Sequence, residues 1–339
     1  MRPLNRFDGN PVLAPRPGAW DCVSVFNPGA VRARGRIYML YRAVSDADEY
    51  VSRFGLALSQ DGRRFERCSE GPVFQPRADY EVGGVEDPRI TPDGDGFLIT
   101  YAAVSQAPGP AYKALDFFNA ARRDPYCPRP GIPPLGMSYT GLLRSKDLAH
   151  FTQGGLLSPA GIDDRDGVLF PEKVDGRYAM LHRPTSWVGE AYGTDRPGVW
   201  LAFSEDLKQW DYGQGDQYLL MQAQAPWESA KIGAGAPPIK TPAGWLLIYH
   251  GVDENYVYRV GAALLDLDDI TRVIARGRDF LMEPVEDYER VGMIPNVVFP
   301  TAALWQPDGE LLIYYGAADR VVGLATADMD ELLDWLLSC

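Results

Sequence analysis

The sequence predicts an all-β fold: a five-bladed β-propeller with a short C-terminal helix and a long loop insertion in the second blade. Three observations predict it. A glycine-led apolar strand recurs five times, a proline- or glycine-bearing element precedes every copy, and a third element follows every copy, always in the same order. Three or four antiparallel strands per unit, with the leading glycines 61 to 80 residues apart, is the pattern of a propeller.

The strand copies are GRIYMLY from Gly35, GFLITY from Gly96, GRYAMLH from Gly176, GWLLIYH from Gly244 and GELLIYY from Gly309. Each is rich in β-formers and is entered through a turn such as PDGDG, VDG, TPAG or PDG, which is hairpin chemistry. The preceding elements are NPGAVRA from Asn27, EDPRITP from Glu86, LFPEKV from Leu169, GAPPIKT from Gly235 and VVFPTAAL from Val297. The following elements are FGLALSQDGRRF, TGLLRSKDLAHF, VWLAFSEDLKQW, VGAALLDLDD and VGLATADMD. In the first three, a Ser-x-Asp turn precedes an aromatic residue (Phe65, Phe151, Trp210) placed to pack back as a fourth strand begins. Helix is minor; Asp328 is positioned to cap MDELLDWLL. The stretch 107–139 lengthens the second unit, and its prolines and aromatics mark a loop that reads as a lid or a subunit contact. A length rule of roughly 150 residues per domain would suggest two domains. The repeat overrides that rule, so residues 1–339 are expected to form one domain.

A hydrophobic share of 46% and a charged share of 23% are ordinary for a globular chain. The net charge of −13 shows no basic face, so nucleic acid is not an expected partner. Four cysteines lie far apart without a CxxC pair, which excludes a zinc ribbon and makes a disulfide scaffold unnecessary. Three histidines without HExxH give no metal site, and no other cofactor is expected. MRPLNRFDGNPVLAP lacks the apolar stretch of a signal peptide, and no apolar run approaches a membrane span. The expectation is a cytoplasmic protein without membrane contact; a homo-oligomer is compatible with this reading.

In a propeller the innermost strands line a central channel where ligands bind. The elements expected there carry Asn27, Glu86, Asp87, Arg89, Glu172 and Lys173, while Arg42, His182, Arg183, His250 and Asp319 follow the glycine-led strands. His150 sits in a surface-type turn. The set divides by charge. Asn27, Glu86, Asp87 and Asp319 suit sugar hydroxyls or proton donation. Arg165, Arg183, Lys231 and His250 suit an anion, arginine as a bidentate fork and lysine as a point charge. A cationic cluster inside an acidic chain points to inorganic phosphate or a phosphorylated substrate.

These segments also carry a resemblance. GVEDPRI (84–90), DRDGVLFPEKVDGRYAMLHRP (164–184), WESAKIGAGAPPIKTPAGWLLIYHGV (227–252), YRVGAALLD (258–266) and NVVFPTAALW with YYGAAD (296–319) resemble glycoside hydrolase family 130. Its members are β-mannoside phosphorylases and related β-mannosidases. The resemblance implies five blades, Asp87 as the general acid, and a phosphate site at Arg165, Arg183, Lys231, His250 and Tyr258, expected from three blades. It implies sugar binding at Asn27 and Asp319; Arg42, Glu86 and Arg89, from their places at the strand ends, are expected to bind substrate with them. The implied reaction is inverting phosphorolysis of a β-mannosyl oligosaccharide to α-mannose 1-phosphate, with phosphate as co-substrate and the proton passed through a mannose hydroxyl. The alternatives are an inverting β-mannosidase on the same fold, a non-catalytic glycan-binding propeller and a five-bladed furanosidase. The insertion at 107–139 leaves the acceptor sugar open.

Overall fold

The computed structural model describes residues 3–47, 50–105 and 137–339, so most of the expected insertion lies outside the described residues. The fold is all-β with few helices. Its strands form five antiparallel units. The first runs Ser24–Ala33, Arg36–Val44, Ser52–Ser59 and Glu66–Arg67. The second runs Gly84–Asp93, Gly96–Val104, Ser138–Ser145 and Thr152–Leu156, and joins the first through a single parallel pair, Ser52 with Gly84. The third comprises Asp164–Leu169, Tyr178–Pro184, Val199–Ser204 and Trp210–Asp211, with Leu219–Met221 as an extra edge. In the fourth the inner strand is split into Lys231–Ala234 and Ile239–Thr241, followed by Gly244–Val252, Tyr258–Leu265 and Val273–Arg276. The fifth runs Val298–Trp305, Glu310–Ala317 and Val321–Asp328, and its fourth strand is Asn5–Arg6 from the opposite end of the chain.

Alternation along each second strand sends side chains to both neighbouring units. Met39 and Tyr41 join Leu312 and Tyr314 of the fifth unit, while Leu40 joins Ile99 and Tyr101 of the second. Met180 packs with Leu98 and Leu142, Leu181 with Leu247 and Tyr249, and Ile248 with Ile313 and Tyr315. Five apolar layers therefore lie between successive units, including one between the fifth and the first. With both faces buried, the second strands read as near-continuous apolar runs, which is why they were the clearest signal in the sequence.

The Ser-x-Asp turns act alike. Ser59, Ser145 and Ser204 accept the amide N–H of Gly62, Leu148 and Leu207 at 2.8, 2.8 and 2.9 Å. The aromatic residue that follows packs back as expected: Phe65 on Tyr314, Phe151 on Phe74, and Trp210 against a layer containing Leu98 and Leu142. The C-terminal helix is Met329–Leu337, and Asp328 caps it by accepting the Glu331 amide at 3.1 Å.

A second repeated device ties four units. Tyr41, Tyr101, Tyr249 and Tyr315 each lie opposite a glycine on the third strand (Gly55, Gly141, Gly261, Gly323), where any Cβ would overlap the ring. Each hydroxyl donates to a buried carboxylate from the preceding loop: Asp21 at 3.2 Å, Glu81, Glu228 at 3.1 Å and Glu289 at 2.9 Å. Side chains of the fourth strands complete these latches: Arg67 on Asp21 at 2.7 Å, Gln153 on Glu81 at 3.0 Å, Arg276 on Glu228 at 2.8 Å and Arg6 on Glu289 at 2.7 Å.

Removing Arg6 leaves Glu289 buried without its cation and opens the edge that the N-terminal strand covers. Arg6→Ala should cost about 2–4 kcal/mol, read as a lower thermal midpoint, because an uncompensated buried carboxylate is strongly unfavourable. Arg6→Lys should recover part of the loss. A change below about 0.5 kcal/mol would remove this pair from the account of stability.

Candidate active site

The inner strands of units one to three each break register once: between Phe26 and Gly29, between Glu86 and Arg89, and between Arg165 and Val168. Asn27, Asp87 and Asp166 occupy these bulges at φ of 43°, 51° and 56°. Asn and Asp tolerate the left-handed region better than other non-glycine residues, and a bulge re-aims the side chain it carries. Three successive units thus use one backbone device to present one polar group each.

The first half of the site gathers around Asp87. Its Oδ1 accepts from Asn27 Nδ2 at 2.8 Å and from Arg42 Nη1 at 3.0 Å. The buried Arg42 also donates to Glu86 Oε1 at 2.5 Å and to Ser52 Oγ at 2.8 Å, and its guanidinium lies 4.4 Å from the Phe26 ring centre. Burial works against the Arg42 charge, but Glu86 and Asp87 hold the guanidinium firmly protonated. Glu86 is pushed up by burial, against the pull of Arg42. Asp319, at φ 51° after the second strand of the fifth unit, is pushed up to about 7. Burial is the main cause; Asp87 and Glu86 add to it, and Arg42 opposes it.

The second half gathers around Asp166, which sequence reasoning missed. Its Oδ2 accepts from Arg183 Nε at 2.6 Å and lies 3.7 Å from His250 Nε2, while Oδ1 lies 3.7 Å from Arg89 Nη2. Burial opposes its charge, but Arg183, His250 and Arg89 hold the carboxyl well below the usual range. His250 is pulled down to about 3 by burial; Asp166 opposes this, and Arg183 and Lys231 add to it. Lys231 is pulled down to about 7 by burial and then by Arg183 and Arg165. Its ammonium lies 5.1 Å from the ring centre of Tyr258, which stacks on His250 at 5.9 Å. Arg165 donates to Asp163 at 3.2 Å from the residue position paired with Arg183.

The five residues expected at the anion site come from two units, the third and the fourth, and not from three. The expectation failed because Arg165 and Arg183, distant in sequence, are cross-strand partners. Glu172 and Lys173 do not join them. They follow the end of the inner strand, where Glu172 pairs with Lys240 at 2.6 Å on the surface and Lys173 lies over Tyr178. His182 is buried against Asp164 at 3.1 Å and the rings of Trp187 and Tyr212. His150 is exposed and bonded to Asp147, as a turn residue should be. Arg89 is only 1% exposed and spans the two halves, donating to the Asp87 carbonyl at 2.6 Å and the Gly235 carbonyl at 3.1 Å. The available signal for Asp166 was alignment of DGV with the NPG and DPR segments at equivalent inner-strand positions.

A carboxylate cluster beside a cationic one is the arrangement of a site that handles a polyol and an anion together. Comparison with known proteins agrees. The profile of glycoside hydrolase family 130, described as beta-1,4-mannooligosaccharide phosphorylase, matches residues 16–338. The chain belongs to this family. It is 36% identical over 340 residues to the 1,2-beta-oligomannan phosphorylase of Thermoanaerobacter sp. (strain X514), covering 98% of this chain and 99% of that one. It is 40% identical over 347 residues to the beta-1,4-mannooligosaccharide phosphorylase of Ruminococcus albus, covering 98% and 90%. Among solved structures, the beta-1,2-mannobiose phosphorylase of Listeria innocua in complex with beta-1,2-mannobiose superposes with a TM-score of 0.79 at 26% identity, covering 99% of both chains.

The Asp319 environment gives a stability prediction for this family member. Its folded-state pKa of about 7 lies above the ordinary 3.8, so its ionised form costs the folded state stability above pH 7. That cost fades as pH falls toward 4, where the unfolded chain also begins to hold the proton. Asp319→Asn should therefore raise the thermal midpoint at pH 8, by an equivalent of about 2–4 kcal/mol, with the gain shrinking toward pH 4. Thermal unfolding of both proteins across this range checks it; a gain that grows on acidification would contradict the assignment.

Proposed function

We propose that this protein is a β-mannoside phosphorylase that transfers a terminal mannosyl group to inorganic phosphate with inversion, giving α-mannose 1-phosphate and a shortened acceptor. The observation that carries the reading is the pair of clusters linked by Arg89: a carboxylate centre at Asp87 and an anion-binding centre at Arg165, Arg183, Lys231, His250 and Tyr258, cationic through its arginines and lysine. Relatives covering almost the whole chain are named as phosphorylases of β-1,2- and β-1,4-linked mannosides, and both linkages stay within the proposal. The cyclic order of apolar layers, with the fifth unit packed on the first, supports five blades closing as one propeller and one catalytic domain. A charged sugar-phosphate product, which a membrane retains, suits a cytoplasmic reaction.

In this mechanism a phosphate oxygen attacks the anomeric carbon from the face opposite the leaving oxygen. The C1–O bond breaks and the leaving oxygen takes a proton originating at Asp87. An inverting glycosidase that uses water needs a second carboxylate as base. Phosphate is already an anion and needs only the acid. Asn27 and Arg42 both donate to Oδ1 of Asp87, so the transferable proton belongs on Oδ2. The cationic centre offsets the repulsion between phosphate and the carboxylate centre. Asn27, Asp319, Arg42 and Glu86 supply the polar wall for mannose hydroxyls, and the buried Arg89 ties the wall to the anion site.

The test incubates the protein with β-1,2- and β-1,4-mannobiose and mannosyl-glucose, with and without phosphate, and identifies the products. Phosphate-dependent release of α-mannose 1-phosphate is expected. Equal turnover without phosphate, with free mannose as product, would replace the phosphorylase by a hydrolase. Asp87→Asn should lower kcat by about 100-fold or more while folding is unchanged. Lys231→Ala should raise the KM for phosphate about 10- to 150-fold and change the mannoside KM much less.

A further inference from the structure

We propose that Asp166 is a positioning residue of the anion site, a resident counter-charge that holds Arg183, Arg89 and His250 in a preassembled cradle for phosphate. This rests on the phosphorylase reading and adds to it a residue that neither the motif reading nor the likeness to relatives supplied. A carboxylate inside an anion site looks counterproductive, since its charge repels the incoming phosphate. The geometry explains its presence. Asp166 comes from the third unit, Arg183 from the neighbouring strand of that unit, Arg89 from the second unit and His250 from the fourth. Oδ2 takes the Nε–H of Arg183 at 2.6 Å, which fixes the plane of that guanidinium. Oδ1 faces Arg89 Nη2, a buried donor that has no hydrogen-bond acceptor among the described residues.

The site is also shaped to admit this carboxylate. Gly233, paired with His250 across the fourth unit, is the position where a Cβ would run into both Asp166 and the His250 ring. Asp166 itself is held at φ 56° by a bulge, so its carboxylate is delivered by the backbone and does not depend on a flexible side chain. Without it, Arg183, Arg89, Arg165 and Lys231 would repel one another across a buried site and splay apart until an anion arrived. Preassembly by a fixed counter-charge avoids that reorganisation at every turnover.

The proposal predicts the sign of an effect that simple electrostatics predicts oppositely. Asp166→Asn is isosteric and suits a left-handed backbone, so the fold should persist. Removal of a negative charge alone would tighten phosphate binding. Loss of positioning should weaken it. We expect the KM for phosphate to rise at least about 10-fold, with the mannoside KM within about 2-fold of wild type. Titration of inorganic phosphate by calorimetry should show the same loss of affinity without any sugar present. In a double-mutant cycle with Arg183→Lys, the second substitution should add little to the first, because both act through one guanidinium. Should Asp166→Asn not fold, Asp166→Ser goes through the same titration. Unchanged or tighter phosphate binding by a folded variant would overturn the role of Asp166 while leaving the phosphorylase reading intact. A wild-type protein that binds no phosphate would overturn both.

Discussion

One buried guanidinium joins the parts of this molecule. Arg89 leaves the inner strand of the second unit, donates to its own unit at Asp87 and to the fourth at Gly235, faces Asp166 of the third, and lies 5.6 Å from the Phe299 ring of the fifth. Burying such a cation costs several kcal/mol unless oxygen acceptors surround it. Those acceptors come from different sheets, so the charge is satisfied only when the sheets are packed in their final arrangement. Burial lowers the affinity of Arg89 for its proton, and Asp87 and Asp166 offset only part of that loss. The same side chain that brings the inner strands together also fixes the separation of the two halves of the site.

This arrangement explains how an acidic chain maintains a cationic pocket. The net charge of −13 lies mostly in solvent, where water and salt screen it. Within the site, each half carries its own counter-charge: Arg42 among Asp87, Glu86 and Asp319, and Asp166 among Arg183, Arg89 and His250. The first half is richer in carboxylates and the second in cationic side chains. On the proposed assignment, a sugar hydroxyl meets acceptors and an anion meets donors within one buried space. Lys231 and Asp319, both brought close to pH 7, are the groups on which the balance of that space turns.

Much of the fold was legible because its signals are local. A second strand buried on both faces reads as an apolar run, and a Ser-x-Asp turn bonds to amides two or three residues away, so each announces itself within ten residues. Asn27 and Asp87 stood out through the proline that follows each of them. Asp166 is followed by glycine and preceded by two charged residues in DRDG, where nothing in the letters separates it from a solvated turn. Glu172 and Lys173 gave the reverse error: they look like a functional pair but lie past the strand end, where the chain has reached solvent. The N-terminal strand was illegible because Asn5–Arg6 has no apolar pattern and gains its identity only from a partner more than 300 residues away. The latch carboxylates Asp21, Glu81, Glu228 and Glu289 were hidden for the same reason.

Those latches stand in a definite relation to the chemistry. The residue after each latch tyrosine occupies one position of the second strand, facing the inner strand: Arg42 opposite Phe26, Ala102 opposite Glu86, His250 opposite Gly233 and Gly316 opposite Phe299. In the third unit the equivalent residue is Arg183, opposite Arg165. A tyrosine bonded to a buried carboxylate cannot slide along the strand axis, so its neighbour is held at a fixed height. The third unit departs from the rule. His182 replaces the tyrosine, Trp200 stands where the glycine would be, and Asp164 on the inner strand itself supplies the carboxylate. That change places the latch acid two residues before Asp166, on the strand that also carries Arg165. The unit with the most residues of the proposed anion site on its inner strand is thus the one whose anchor has moved onto that strand, so a single short segment sets the height of Arg165, Asp166 and Arg183 together.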